Sequence, residues 1–241
     1  MPRSIAITLT LCLATATAQA ALLGRMAATL GGTDYRAYYD DVQDITWMAD
    51  ANLAATSVFG VAGIVPDGRM TWDKAQEWIG AMNATSYLGA SNWRLPTVTD
   101  TGAPGCEDGG WYSGTDCGYN VDASTGEMAH LYYSTLGNVG YFDTNGTPIG
   151  CANAPNYCLT NPGPFSNFQI VYWMDTNYAP IPGHSWRFDF THGYQGFANY
   201  GAWIHAWAVS PGDVTTVPIP PAVWLFGSAL GLMGWMRRKL S

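Results

Sequence analysis

The chain has 241 residues; 12% are charged and 14% aromatic, with 28 glycines and 14 prolines. So many aromatic residues argue against disorder. All 18 acidic side chains fall in residues 21–216 beside only six basic ones, a balance that disfavours binding of nucleic acid, anionic lipid or sulfated polysaccharide through bulk charge.

The chain opens on Arg3, an apolar or small stretch from Ile5 to Ala18, and the triplet Ala18-Gln19-Ala20. This order of parts predicts a signal peptide over residues 1–20, cut between Ala20 and Ala21. Residues 21–213 are enough for one domain with one core. Tyr35 to Trp47 reads as two β-leaning segments joined by an acidic turn. Asp40, Asp41, Asp44 and Asp50 crowd into eleven residues. Calcium takes several oxygen ligands, so these four are the candidate metal ligands. Their spacing does not match D-x-[DN]-x-[DN]-G, and a solvated acidic face is the preferred reading.

Residues 48–70 read as a loop closed by the turn Pro66-Asp67-Gly68. A helix is predicted from Thr71 to Met82, with Thr71 as N-cap and Asp73 and Glu77 in its early turns. Trp72, Ala75, Ile79 and Met82 recur at helical spacing and give one apolar face. After it comes Trp93-Arg94-Leu95-Pro96. An aromatic beside an arginine could stack on a sugar and bond its hydroxyls. The preferred reading is structural: Trp93 in the core, Arg94 paired with an acid, Pro96 ending the segment.

Residues 99–166 are mostly Gly/Asn/Asp-rich loop, with a second short helix near Gly126 to Leu136. Loops this long in a compact domain are often functional. Cys12 lies in the leader, which leaves Cys106, Cys117, Cys151 and Cys158. Four cysteines in an exported chain imply two disulfides, with three pairings possible. The local pairs Cys106–Cys117 and Cys151–Cys158 are favoured over zinc, which calls for C-x-x-C spacing. Three strands close the domain: Phe168–Asp175, Ser185–Phe190 and Ala202–Ser210. The turn Thr191-His192-Gly193 follows the middle one.

Residues 214–241 form a tail. A proline hinge (Val217-Pro218-Ile219-Pro220) precedes a charge-free stretch from Ala222 to Met236 and the basic terminus Arg237-Arg238-Lys239. As a helix, residues 222–236 span about 22 Å, short against a hydrocarbon core of roughly 30 Å. The basic cluster stays on the cytoplasmic side. Such a tail suits a transient hold in the inner membrane better than a permanent anchor.

No catalytic pattern stands out. His130, His184, His192 and His205 are scattered, without H-E-x-x-H, and no serine sits in G-x-S-x-G. Phosphate-binding glycine loops are absent, and no cofactor is expected. The catalytic alternatives are a hydrolase built from His184, Asp189 and a serine, or a glycan-active enzyme using carboxylates in the loop of residues 100–165; the acids Glu107, Asp108 and Asp116 are read, like the Asp40 cluster, as solvated.

Two resemblances sharpen this. The tail, through Val217-Pro218, Pro220, Ala222, Trp224-Leu225-Phe226-Gly227-Ser228 and Arg237-Arg238-Lys239, resembles the PEP-CTERM sorting signal of Gram-negative bacteria, in its V-P-x-P-x-A-x-W-L-F-G-S variant. That resemblance implies recognition by an exosortase. The body resembles the Lcl C-terminal domain family of bacterial surface proteins. The match runs through Tyr39-Asp40-Asp41, Ile45-Thr46-Trp47, Gly68-Arg69-Met70-Thr71-Trp72, Asn92-Trp93-Arg94-Leu95-Pro96-Thr97, Tyr172-Trp173, Trp186-Arg187-Phe188-Asp189-Phe190 and Ala206-Trp207-Ala208-Val209. Ser210 stands where that family has Arg. The resemblance implies a single C-type-lectin-like α+β domain with one main helix, short antiparallel strands and long disulfide-stapled loops. The expected function is a non-enzymatic, exported surface or matrix protein, adhesive or associated with extracellular polysaccharide. A glycan-active enzyme and a purely structural matrix protein are the alternatives.

Overall fold

A computed structural model describes residues 21–29, 31–101, 112, 116–151 and 157–214. The predicted signal peptide, Cys106, Glu107, Asp108 and the whole 217–241 tail lie outside the described residues. So does the 222–236 stretch; among the described residues no helix is long and apolar enough to cross a membrane.

The architecture is α+β, with two antiparallel sheets and few helices. The first sheet has the order β1 (Leu22–Ala27), β2 (Tyr35–Asp40), β3 (Ile45–Met48), β7 (Val209–Pro211). The second has the order β4 (Val171–Asn177), β5 (His184–Asp189), β6 (Tyr194–Asn199). The end of the domain therefore returns to its beginning: Trp47 faces Val209 in the register. From the opposite edge of the sheet, Arg25 of β1 reaches the segment after β7, its guanidinium forking onto Asp213 at 2.6 and 2.7 Å.

The β2–β3 hairpin follows from its acidic turn. The Asp40 carboxylate accepts the backbone N–H groups of Val42 and Gln43, each at 3.1 Å. Asp44 takes the left-handed conformation at φ 52° that short polar side chains tolerate. Asp40 is not part of a solvated face. It is fully buried, because it also accepts the Thr135 hydroxyl at 2.8 Å.

Helix α1 (Trp72–Ala84) starts where its pattern predicts, but it buries Ala75, Trp78, Ile79 and Met82. Trp72 instead leaves the core face, stacks on Tyr200 with centroids 4.6 Å apart and donates its indole N–H to the Met174 carbonyl. Thr71 has extended N-cap dihedrals, yet its side chain makes no capping bond.

The predicted second helix is α2 (Glu127–Ala129), which runs directly into a π-helical turn over His130–Thr135. Beyond it, asparagines order the loop as much as any covalent link. Asn138 and Asn161 exchange bonds in both directions, at 2.9 and 2.8 Å, and Asn161 also donates to the Leu136 carbonyl. Of the two expected disulfides, Cys151–Cys158 is formed. Cys117 is buried and disulfide-bonded, and the Cys106 half of its expected pair lies outside the described residues.

Between the sheets lies an aromatic core. Trp47, Trp78, Trp93, Trp173, Trp186 and Trp207 are all buried. The indole N–H groups of Trp78, Trp93, Trp173 and Trp207 each donate to a backbone carbonyl. This lets a large apolar body be buried without stranding its polar end.

Two strands depart from the sequence reading. β1 and β6 are absent from it, because Gly24 and Gly196 interrupt their alternation and Gln195 is polar yet fully buried. Conversely, of the predicted strand Ala202–Ser210 only its end belongs to β7. The rest runs as single bridges, Met70 with Ile204 and Tyr172 with His205.

Candidate functional site

The Trp93-Arg94-Leu95-Pro96 segment is structural. Trp93 is buried and donates to the Tyr87 carbonyl at 2.9 Å. Arg94 forks onto both oxygens of Glu127 at 2.7 and 2.5 Å. The same carboxylate accepts the Thr97 N–H at 2.7 Å. Both terminal nitrogens of Arg94 are thus engaged by Glu127 and Leu95.

The candidate calcium ligands are not brought together. Asp40 caps its own turn, Asp41 accepts the Ala21 N–H at 2.8 Å, and Asp44 accepts the Tyr39 hydroxyl at 2.8 Å. Asp50 accepts Asn52 N–H and the Asn167 amide at 2.9 and 3.0 Å. Among the described residues no three His, Cys, Asp or Glu side chains gather as metal ligands.

Nor do His184, Asp189 and a serine converge. Asp189 instead accepts the Thr191 hydroxyl at 2.6 Å and meets His192 Nδ1 at 3.0 Å. Thr191 contacts that same ring nitrogen at 2.8 Å. All three bonds lie inside one four-residue turn, so they hold the β5–β6 connection. Ser185 spends its hydroxyl on the carbonyls of Met174 and Thr176. Asp116 is buried and accepts both donors of Thr101.

No family model, curated protein or solved structure matches the chain. The site must therefore be found from its geometry.

Among the described residues, two clefts stand out as open to a ligand. One, of about 310 Å³, is lined by Gln43, Thr97, Thr99, Ser124, Glu127 and His130. Its one carboxylate, Glu127, already serves Arg94; beside the hydroxyls it offers the unpartnered Gln43 Oε1 and His130 Nε2, but no exposed aromatic face and no free cation. The other, of about 440 Å³, is lined by Arg69, Gln169, Ile170, Arg187, Trp203 and His205, with Val171 and Ile204 completing it. Here the chemistry is distinct. Trp203 and Ile170 are 49% and 57% exposed, among the most exposed large apolar side chains described. Two guanidinium groups stand beside them.

Each wall of this cleft has a local cause. Gly68 sits at φ +88° in the turn Pro66-Asp67-Gly68, and a Cβ there would meet Asn52 Oδ1 at 2.1 Å. Only glycine fits, and the turn delivers Arg69 to the rim. The bridge between Met70 and Ile204 then sets Arg69 beside the 203–205 segment.

Arg187 stands in the middle of β5, opposite Gly196. Without a side chain at 196, the Tyr194 ring lies back across that space; a Cβ would be 2.6 Å from it. The Arg187 guanidinium rests 5.7 Å from the Tyr194 ring centroid, a favourable cation–π distance.

Both arginines are anchored through Nε: Arg69 to Asp67 at 2.8 Å, Arg187 to the Phe197 carbonyl at 3.1 Å. Their terminal amino groups have no ion pair among the described residues beyond the Asp67 contact. His205 is 8% exposed, and its Nε2 has no hydrogen-bond partner among the described residues. Burial holds the imidazole below its ordinary value, against the opposing pull of Asp67. It is therefore neutral near pH 7.

None of these residues was singled out as a site from the sequence. The available signal was strand alternation: with Trp186 and Phe188 turned inward, Arg187 must face the other way. Trp203 gave no such signal, because its segment is not a regular strand.

Proposed function

We propose that this chain is an exported surface or extracellular-matrix protein whose domain binds polysaccharide non-covalently in the Trp203 cleft. The carrying observation is the half-exposed Trp203 beside Arg69, Arg187 and the unpartnered His205 nitrogen. A flat indole face covers the C–H face of a sugar ring, while fixed donors reach its hydroxyls. A concave, mostly preformed site with a few convergent polar groups is the usual form of a small-molecule site. An exposed apolar patch on a soluble domain also marks an interaction surface.

The domain reading is C-type-lectin-like and related to the Lcl C-terminal domain, supported by the W-R-L-P segment and its companions. Export through the inner membrane is supported by the A-x-A leader. Transient anchoring and recognition by an exosortase are supported by the 217–241 tail, with its Val217-Pro218 hinge and terminal Arg237-Arg238-Lys239. Calcium has no part in this binding mode, since Asp40, Asp41, Asp44 and Asp50 are each engaged in local hydrogen bonds.

A glycan array probed with the exported protein, with and without calcium, tests the binding. Binding in both conditions that is lost in Trp203→Ala is the expected result. An array blank under both conditions overturns the proposal in favour of a purely structural matrix protein. For the tail, the intact mass of the exported protein should lack the terminal basic segment; a retained Arg237-Arg238-Lys239 contradicts processing.

A further inference from the structure

Residues 21–216 hold six basic side chains. Four of them meet acids: Arg25 on Asp213, Arg69 on Asp67, Lys74 on Glu77 and Arg94 on Glu127. Arg187 pairs with no acid among the described residues, and it lines the same cleft as Arg69. In a chain of formal net charge −8 this is a local reversal of sign. A neutral sugar would not require it. Each guanidinium is pinned by its Nε, which leaves the terminal amino groups as fixed donors. A planar carboxylate matches that arrangement, taking two parallel N–H bonds from one arginine.

We infer that the cleft selects a carboxylate-bearing saccharide, a uronic-acid unit of an extracellular polysaccharide. This rests on the glycan-binding reading and narrows it. The indole of Trp203 carries the ring, and Arg187 and Arg69 hold the carboxylate. The unpartnered Nε2 of His205, on a side chain more than nine-tenths buried, meets a hydroxyl. A volume of about 440 Å³ lies in the range of small-molecule sites, and holds roughly one or two sugar rings.

The overall acidity of the domain sets the upper limit on ligand charge. A polymer sulfated on every ring is repelled by the whole field of the protein. A polymer with one carboxylate per unit is held by two arginines at close range, where the Debye length of about 8 Å leaves attraction unscreened. The Asp67 carboxylate on Arg69 Nε keeps that arginine in place and lowers its net pull, which makes Arg187 the stronger determinant.

The test compares one oligosaccharide in two forms. A tetragalacturonate and its fully methyl-esterified counterpart are titrated into the purified exported protein by calorimetry. The ester keeps the rings and removes the charge. The free acid is expected to bind at least about tenfold tighter, the equivalent of one charge-assisted hydrogen bond. In Arg187→Gln that preference should collapse, so that acid and ester bind alike. Arg187→Lys should restore part of it, because charge returns without the fork. Trp203→Ala should lose both ligands. Thermal melting checks that each variant is folded.

Equal binding of acid and ester by the unaltered protein overturns this inference and leaves the glycan proposal standing. Equal acid preference in the native protein and Arg187→Gln also overturns it. Failure of both forms, with a neutral glycan bound through Trp203 on the array, again sinks only the inference. Failure of every glycan sinks both.

Discussion

Trp93-Arg94 and Trp186-Arg187 are the same dipeptide in two settings. Both tryptophans are buried, and both arginines are partly covered. Arg94 meets the incoming carboxylate of Glu127 from α2 and is closed off on both of its terminal nitrogens. Arg187 meets a carbonyl and an aromatic face, and no acid among the described residues pairs with it. One pair became scaffold and the other became a wall of an open cleft. Whether an arginine is available to a ligand is thus a question of what the tertiary structure places in front of it, and the local sequence is silent on that.

The comparison breaks most sharply at the aromatic residues. Trp93→Ala should cost about 3–5 kcal/mol, the usual range for emptying a buried aromatic site. Trp203→Ala should stay within about 0.5 kcal/mol, since it removes a half-exposed ring. Urea unfolding midpoints measure both, and similar losses would erase the distinction between core and cleft.

The arginines come next. Glu127→Ala strands Arg94, whose side chain is 27% exposed, and leaves the Thr97 N–H without its acceptor. A loss of about 2–3 kcal/mol is expected, below the figure for a fully buried pair. Arg187→Ala should cost less than about 1 kcal/mol. A larger loss there would mean that Arg187 is scaffold too.

His205 gives a smaller, pH-dependent effect. Its folded-state value lies below the ordinary 6.5, chiefly through burial. The unfolded chain therefore takes up the proton first as the solution is acidified. Stability from this group is complete above the ordinary value and falls as pH drops through it, levelling off below the folded value. Between pH 7.5 and 5.5 the native protein should lose more stability than His205→Gln. Equal slopes would remove the neutral imidazole from the cleft.

An exposed pair supplies the baseline. Cleavage after Ala20 would make the Ala21 nitrogen an ammonium, and it lies 2.8 Å from Asp41 Oδ1. Asp41→Asn should lower the melting temperature of the processed protein least of all these changes, as surface ion pairs contribute little. A loss approaching that of Glu127→Ala would show that burial is not what gives the Arg94–Glu127 pair its weight.

Much of the frame was legible. The Asp-rich turn announced the β2–β3 hairpin, and Thr71 to Met82 announced α1, because local patterns act through local geometry. Trp93-Arg94-Leu95-Pro96 was read correctly as structural, since a buried tryptophan and a partnered arginine are the ordinary fate of such residues. The apolar stripe named Trp72 and omitted Trp78, and only packing against Tyr200 and Met174 drew Trp72 aside. Strand β6 was hidden because Gln195 is buried through bonds to distant backbone: its amide donates to the Asp116 carbonyl at 2.6 Å. The acid cluster read as one solvated face, or one calcium site, because its members are close in sequence. The fold turns each toward a different neighbour.

By itself the sequence determined the main turns, part of the core and where the main helix begins. Periodicity, glycines and side-chain polarity act over a few residues, so they can be read there. The cleft was decided only by the tertiary structure. Arg69, Gln169, Arg187, Trp203 and His205 come from four separate stretches of chain and meet because the Met70–Ile204 and Tyr172–His205 bridges and the β4–β5 pairing bring those stretches side by side. Such non-local pairings leave no periodic trace, and neither does the lack, among the described residues, of a carboxylate paired with Arg187.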